Sequence, residues 1–235
     1  MANTWFQFKQ FRVDQDRCAM KVSSDAVLLG ALGGEGSPEL ILDVGAGTGV
    51  ISLMLAQRFK NAKIIGIELD KDAATQCEEN FQSSPFSNRV SVLNQAFQDF
   101  EFPQVVDLVL SNPPYYPSHL KPKEEKREKA LHTSHLTFGD LVKGVLKVLK
   151  QSGEFWVILP IDQMKEMRKI CLFFQLYPSE TFSISDRPGK RVLREISCFS
   201  FKQKEEKKES LFFKDENGQP DGVYQSLLKD FFLDF

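Results

Sequence analysis

From Leu40 onward, short apolar runs alternate with stretches of helical spacing. Leu40–Val44, Lys63–Glu68, Val90–Leu93, Val105–Leu110 and Glu154–Leu159 are mostly apolar, and glycine, proline or polar residues close them, so they read as strands. Val50–Phe59, Asp72–Phe81, Phe138–Lys150 and Gln163–Phe174 read as helices; Leu141, Val142, Val145, Leu146 and Leu149 share one face of the third. Two further strand candidates, Glu180–Ser185 and Val192–Phe201, are separated only by the turn signal Asp186-Arg187-Pro188-Gly189. Repeated strand–helix units predict an α/β fold with a doubly wound, mostly parallel, seven-stranded sheet, and the last two strands predict an antiparallel hairpin at one edge.

The flanks are simpler. Residues 1–22 form an N-terminal arm in which Phe6 and Phe8 alternate with Gln7 and Lys9, a strand-like pattern. Ser23-Ser24-Asp25 precedes Ala26–Gly30 as a helix cap, and Gly33-Gly34 ends that short helix. Residues 40–201 are the expected core of a single domain spanning 1–235, with 202–235 as an extension. In the extension, the mixed-sign run Lys202–Glu209 reads as a solvated linker or strand end, and Tyr224–Phe232 as a short aromatic-rich helix.

Composition narrows the chemistry. At 235 residues and 42% hydrophobic content the chain can bury one substantial core. The sequence has no apolar run of membrane-spanning length, about 18 residues, and its first residues lack the basic-then-apolar order of a secretory leader. Cys18, Cys77, Cys171 and Cys198 are far apart, a usage that suits free thiols in a reducing cytoplasm better than disulfides or zinc. His132 and His135 have no further soft ligands nearby in sequence, so no metal is expected. A net charge of -2 means that any nucleic-acid contact must come from local basic patches.

Asp43-Val44-Gly45-Ala46-Gly47-Thr48-Gly49 follows a strand and opens a helix, so Gly45, Gly47 and Gly49 let main chain turn sharply against a ligand. A dinucleotide grip needs a third glycine where Val50 stands, which excludes a pyrophosphate. Glu68 ends the next strand, where a carboxylate can accept from both hydroxyls of a ribose. Loop and Glu68 together resemble the S-adenosylmethionine site of the class I methyltransferase fold, with Asp43 able to engage the methionine ammonium through water or backbone. That fold often places an acidic residue after the third strand to hold the adenine amine. Ala96 occupies the place here, so backbone near Ala96 and Phe97, or Asp99, is left to serve.

Asn112-Pro113-Pro114-Tyr115 closes the fourth strand. A nitrogen conjugated to a π-system is a poor nucleophile, and two acceptors aimed at its hydrogens direct its lone pair at a methyl donor. The Asn112 side-chain oxygen supplies one acceptor. The Pro113 carbonyl suits the other, because Pro114 keeps the preceding backbone extended. Tyr115 can stack on a planar substrate. The tetrapeptide is shared by methyltransferases of adenine in DNA or RNA, of ribosomal guanine and of protein glutamine, and does not choose among them.

Flanking segments do more. Phe8-Lys9-Gln10-Phe11, Cys18–Gly30, Ser111–Tyr116, Arg127–Thr133 and Arg187-Pro188-Gly189-Lys190-Arg191 resemble the bacterial tRNA(Val) adenine-N6 methyltransferases, from about Phe6 to the end of the chain. The resemblance implies a cytoplasmic enzyme using S-adenosyl-L-methionine on an adenine beside the anticodon, with the anticodon stem-loop of tRNA as partner. It also implies that Lys21, Ser24, Asp25 and Asn112 border the cofactor; Ser23–Asp25 reads equally as a plain helix cap. Arg187, Lys190, Arg191 and Arg194 form one basic cluster and Lys121–Lys129, with Arg127, another, each suited to phosphates or to ordinary surface. The polar segment 116–135 is placed to cover a substrate. A protein glutamine N5-methyltransferase and a non-catalytic scaffold subunit are the competing readings. The short stretch before Asp43 counts against the first, and the intact tetrapeptide against the second.

Overall fold

A computed structural model describes residues 3–101, 104–114 and 136–234. The strands are β1 (Trp5–Gln7), β2 (Arg12–Asp14), β3 (Leu40–Val44), β4 (Lys63–Glu68), β5 (Val90–Asn94), β6 (Val106–Ser111), β7 (Leu149–Leu159), β8 (Tyr177–Ser185), β9 (Val192–Ser200) and β10 (Lys207–Phe212). The helices are α1 (Ser24–Leu32), α2 (Val50–Arg58), α3 (Lys71–Gln82), α4 (Phe138–Val148), α5 (Ile161–Phe173) and α6 (Gly222–Leu228). One sheet has the order β10-β8-β9-β7-β6-β3-β4-β5, and β1 pairs with β2 in a separate hairpin.

Only β9 runs against its neighbours; every other adjacent pair in the sheet is parallel. The near-continuous apolar runs are explained by burial on both faces. Ile41, Ile64, Leu108, Leu110, Trp156 and Ile158 join α1, α2 and α3 in one cluster. Their alternates Leu42, Val44, Ile67, Val109, Phe155 and Val157 join α4 and α5 in another. This is the doubly wound arrangement predicted. One consequence positions the site: β3, β4, β6 and β7 all end at the same edge, with Val44 in register with Ser111 and Glu68 with Asn94.

The sheet has eight strands rather than seven. The predicted hairpin forms between β8 and β9, but β10 pairs parallel to β8, so the hairpin is not at the edge. The end of the charged run, Lys207–Glu209, is therefore part of a strand that continues to Phe212. Charged side chains suit an edge strand, where they stand in water while main chain pairs inward; Lys207, Lys208 and Glu209 are exposed and Leu211 is buried. A polar network fixes the start of β10. Arg168 of α5 donates to Glu206 at 2.8 Å, to the Thr181 hydroxyl at 2.6 Å and to the Ser197 hydroxyl at 3.0 Å. Thr181 also donates to Glu206 at 2.8 Å.

Element ends shift by a few residues. The third predicted helix stops at Val148 rather than Lys150, because Leu149 already pairs with Val106. The last helix starts at Gly222, where the Asp221 carboxylate caps Val223 and Tyr224, and stops at Leu228. The chain ends meet: the Lys9 amide donates to the Phe231 carbonyl at 2.7 Å, and the rings of Phe8 and Phe232 lie 5.8 Å apart.

The Arg168 network yields an expectation. Arg168→Met should lower stability by about 1–3 kcal/mol in urea unfolding and speed hydrogen exchange of the Lys207–Phe212 amides more than those of β7. Equal exchange in variant and parent would show that β10 is held by main chain alone.

Candidate active site

The glycine loop joins β3 to α2. Gly45, Gly47 and Gly49 have φ of 78°, 55° and 80°, a region that side chains with a Cβ rarely adopt. A Cβ on Gly45 or Gly47 would meet nothing within 4 Å, so their shape, and not neighbouring atoms, demands glycine. Gly49 differs, because a Cβ there would lie 2.5 Å from the Phe81 ring and 2.8 Å from the Cys77 sulfur. The amides of Gly45 and Ala46 donate to the Ile67 carbonyl at 2.9 and 3.1 Å, which holds the loop against β4.

Gly49 provides no side chain to cap α2. Asp43 does so instead: its Oδ2 accepts from the Ser52 amide at 3.1 Å and the Ser52 hydroxyl at 2.7 Å. Asp43 is 0% exposed, and its Oδ1 is buried with no partner among the described residues. Burial pushes its carboxyl from 3.8 up to about 6, against the two bonds from Ser52 that favour the charge, with Glu68 adding a smaller push upward. Glu68 stands across the loop. Its Oε2 accepts from the Gly47 amide and its Oε1 from the Asp70 amide, each at 2.8 Å. Each oxygen keeps acceptor capacity for hydroxyl donors.

Ser111 ends β6 beside Val44, and its buried hydroxyl donates to the Val44 carbonyl at 2.8 Å. Asn112 follows, half-buried, and its Oδ1 is buried without a partner among the described residues. Pro113 is buried and Pro114 exposed. Two orphaned acceptors, Asp43 Oδ1 and Asn112 Oδ1, thus lie at the ends of adjacent strands. A buried acceptor without a donor costs free energy until a ligand supplies one. A ligand with an ammonium, ribose hydroxyls and an adjacent amine would fit this donor-poor set. Tyr115, Arg127 and segment 116–135, with His132 and His135, lie outside the described residues.

Other expected contacts are distributed differently. The Phe97 ring is buried in the core against Gly144, which leaves only its main chain to face a ligand, while Ala96 is half-buried. Lys21 donates through its ammonium to the Gln15 carbonyl. Ser24 opens α1 but Ser23 is the cap, accepting from the Ala26 amide at 3.2 Å. Asp25 pairs with Arg194 at 2.8 Å, which ties α1 to β9 and takes Arg194 out of the phosphate cluster. Arg187, Lys190 and Arg191 sit on the turn between β8 and β9, at the same edge as Asn112; Lys190 and Arg191 are exposed, while Arg187 donates to Asp186 at 3.0 Å. The sequence reading missed Ser52, Ser111 and Asn80, polar residues buried where their elements would suggest apolar ones.

A family model described as a methyltransferase domain matches residues 37–211. A solved structure described as a predicted O-methyltransferase, Atu636 from Agrobacterium tumefaciens, covers 88% of this chain and 96% of its own with a TM-score of 0.69 at 18% identity, a likeness of fold. Fold and loop define a class I methyltransferase. Relatives from Pedobacter heparinus (39% identical over 230 residues, 98% of each chain) and Bacteroides thetaiotaomicron (37% over 234 residues, 99% of each) are both described as tRNA1(Val) (adenine(37)-N6)-methyltransferase. The chain belongs to that family.

Asp43 gives a test by pH. Its carboxyl is raised above its unfolded value of 3.8, so its full contribution to stability is present below that pH and is lost as pH rises through about 6. Between pH 4 and pH 8, urea unfolding without ligand should therefore favour Asp43→Asn over the parent by a margin growing by about 2–3 kcal/mol. A margin independent of pH would mean that Asp43 is solvated.

Proposed function

We propose that this protein transfers a methyl group from S-adenosyl-L-methionine to the exocyclic N6 amine of an adenine in tRNA, beside the anticodon of tRNA(Val). The observation that carries the reading is the buried, unpartnered Asn112 Oδ1 at the end of β6, one residue beyond the Ser111 hydroxyl that is bonded to the strand leading into the glycine loop. Membership of the tRNA1(Val) (adenine(37)-N6)-methyltransferase family supports the choice of substrate.

The donor, when bound, supplies an electrophilic methyl on a sulfonium. The protein's residues do the rest. Asp43 Oδ1 offers a carboxylate oxygen to the ammonium, directly or through water, and Glu68 accepts from ribose hydroxyls. Main chain at Ala96 and Phe97 holds the adenine, with Lys21 and Ser24 bordering it. Asn112 Oδ1 and the Pro113 carbonyl accept the hydrogens of N6 and turn its lone pair toward the methyl. The substrate amine is a weak base, and it becomes acidic only as the new bond forms. The proton then leaves to solvent, so no strong base is required. Positioning and a dry, preorganised pair of acceptors provide the acceleration. Tyr115 is assigned to stack on the extruded adenine, and Arg127, Arg187, Lys190 and Arg191 to hold phosphates of the anticodon stem-loop. The product is S-adenosyl-L-homocysteine, and the expected compartment is the cytoplasm.

Two measurements test this. Asn112→Ala should lose about 10²–10³-fold in methyl transfer to tRNA while S-adenosylhomocysteine still binds in calorimetry. Near-normal turnover, or labelling of release factors in place of tRNA, would overturn the mechanism or the substrate. Replacing Arg187, Lys190 and Arg191 together by alanine should weaken tRNA binding and flatten the slope of log affinity against log salt by about two, with cofactor affinity unchanged. An unaltered slope would remove this turn from the RNA surface.

A further inference from the structure

Between β2 and α1 the arm crosses α3, and buried amide side chains hold it there. Asn80, near the end of α3, is 2% exposed and uses every polar atom of its side chain. Its Oδ1 accepts from the Asp14 amide at 2.9 Å, and its Nδ2 donates to the Asp14 carbonyl at 2.8 Å and the Thr48 carbonyl at 2.9 Å. Asparagine is a poor residue inside a helix, so its presence in α3 is offset by these tertiary bonds. Thr48 lies between Gly47 and Gly49, so a single carboxamide joins the main chain of the arm to the main chain of the glycine loop.

Neighbouring residues reinforce the crossing. Gln76, also 2% exposed, accepts from the Arg17 amide at 3.1 Å, and the Arg17 guanidinium pairs with Glu79. Gln15 closes the arm on itself, accepting from the Val22 amide at 2.7 Å and donating to the Asn3 carbonyl at 3.0 Å. The arm also lies beside the ribose carboxylate. Burial, and then the charge of Glu68, push the Cys18 thiol up to about 11.

We propose that Asn80 is a positioning residue that couples the arm to the glycine loop, making the arm a strap over the nucleoside half of the S-adenosyl cofactor that governs how long the cofactor stays bound. The inference rests on the methyltransferase reading above. Its physical basis is that neither main-chain segment can move without leaving a buried amide unsatisfied. Asn80 bonds to none of Asp43, Glu68 or Asn112, so loosening the strap acts on retention of the cofactor and not on the transfer step.

The test uses the full-length chain with S-adenosylhomocysteine in calorimetry and stopped flow, and S-adenosylmethionine with tRNA in steady-state kinetics. Asn80→Ala should raise the Kd for S-adenosylhomocysteine and the KM for S-adenosylmethionine about tenfold, chiefly by faster dissociation, with kcat at saturation within about twofold of the parent. Asn80→Asp keeps the shape but cannot donate to two carbonyls, and should match alanine. Gln76→Ala, which frees only the Arg17 amide, should shift both constants the same way by less. Unchanged Kd and KM in the Asn80 variants, or a fall in kcat without a rise in KM, overturns the strap. If the Asn80 variants do not fold, Gln76→Ala decides alone, and an unchanged Kd there overturns it too. A parent protein that fails to bind S-adenosylhomocysteine overturns the methyltransferase reading, whereas a parent that binds and an Asn80→Ala that binds equally well overturn only the strap.

Discussion

A dry carboxylate at the start of a helix sets the geometry of this molecule. Asp43 points from the end of β3 into the first turn of α2, where the Ser52 amide and hydroxyl meet one of its oxygens. The helix N-terminus and those two bonds favour its charge, and complete desolvation opposes it. Desolvation wins, because the carboxyl is raised and not lowered. The bonds nevertheless fix strand to helix across a very short span, and only a chain with left-handed residues at Gly45, Gly47 and Gly49 closes that span. The second oxygen is left over, buried and without a partner among the described residues.

The site also follows from topology. β3 has β4 on one side and β6 on the other, and the chain winds away from it in opposite directions. Helices on opposite faces leave a crevice at the carboxyl ends of these strands, the usual place for ligands in open parallel sheets. Ser111 makes the crevice a defined distance across. It ties the end of β6 to Val44, residues 67 positions apart in sequence, so Asn112 and the glycine loop are held in one frame. A polar hydroxyl here does what a packed apolar side chain could not, since it bonds to a specific carbonyl.

Much of this was legible beforehand, for physical reasons that also explain what was not. Strands covered on both faces must be apolar along their length, so β3, β4, β6 and β7 announce themselves. The three glycines, Glu68 and Asn112 are legible because their chemistry requires those residue types at strand ends. β10 was hidden because its partners are main-chain groups, to which Lys207, Lys208 and Glu209 give no clue. Asp25 and Arg194 looked like separate site residues because nothing in their spacing shows that they pair. The packing of the Phe97 ring into the core beside Gly144 was not legible, because the expectation there concerned only its main chain. Asn80, Gln76 and Ser52 act by bonding to distant backbone, and such bonds leave only a faint mark in sequence: a polar residue on a face that ought to be apolar.

The meeting of the arm with the segment after α6 has a consequence for how the protein folds. The Lys9 amide bonds to the carbonyl of Phe231, and the Gln57 side chain reaches the Asp230 carbonyl at 2.7 Å. The seam therefore joins segments that lie far apart in sequence. Such far-separated contacts form slowly, because a long loop must close first. Closure of this seam is thus a late step of folding, set by the sequence separation of its partners.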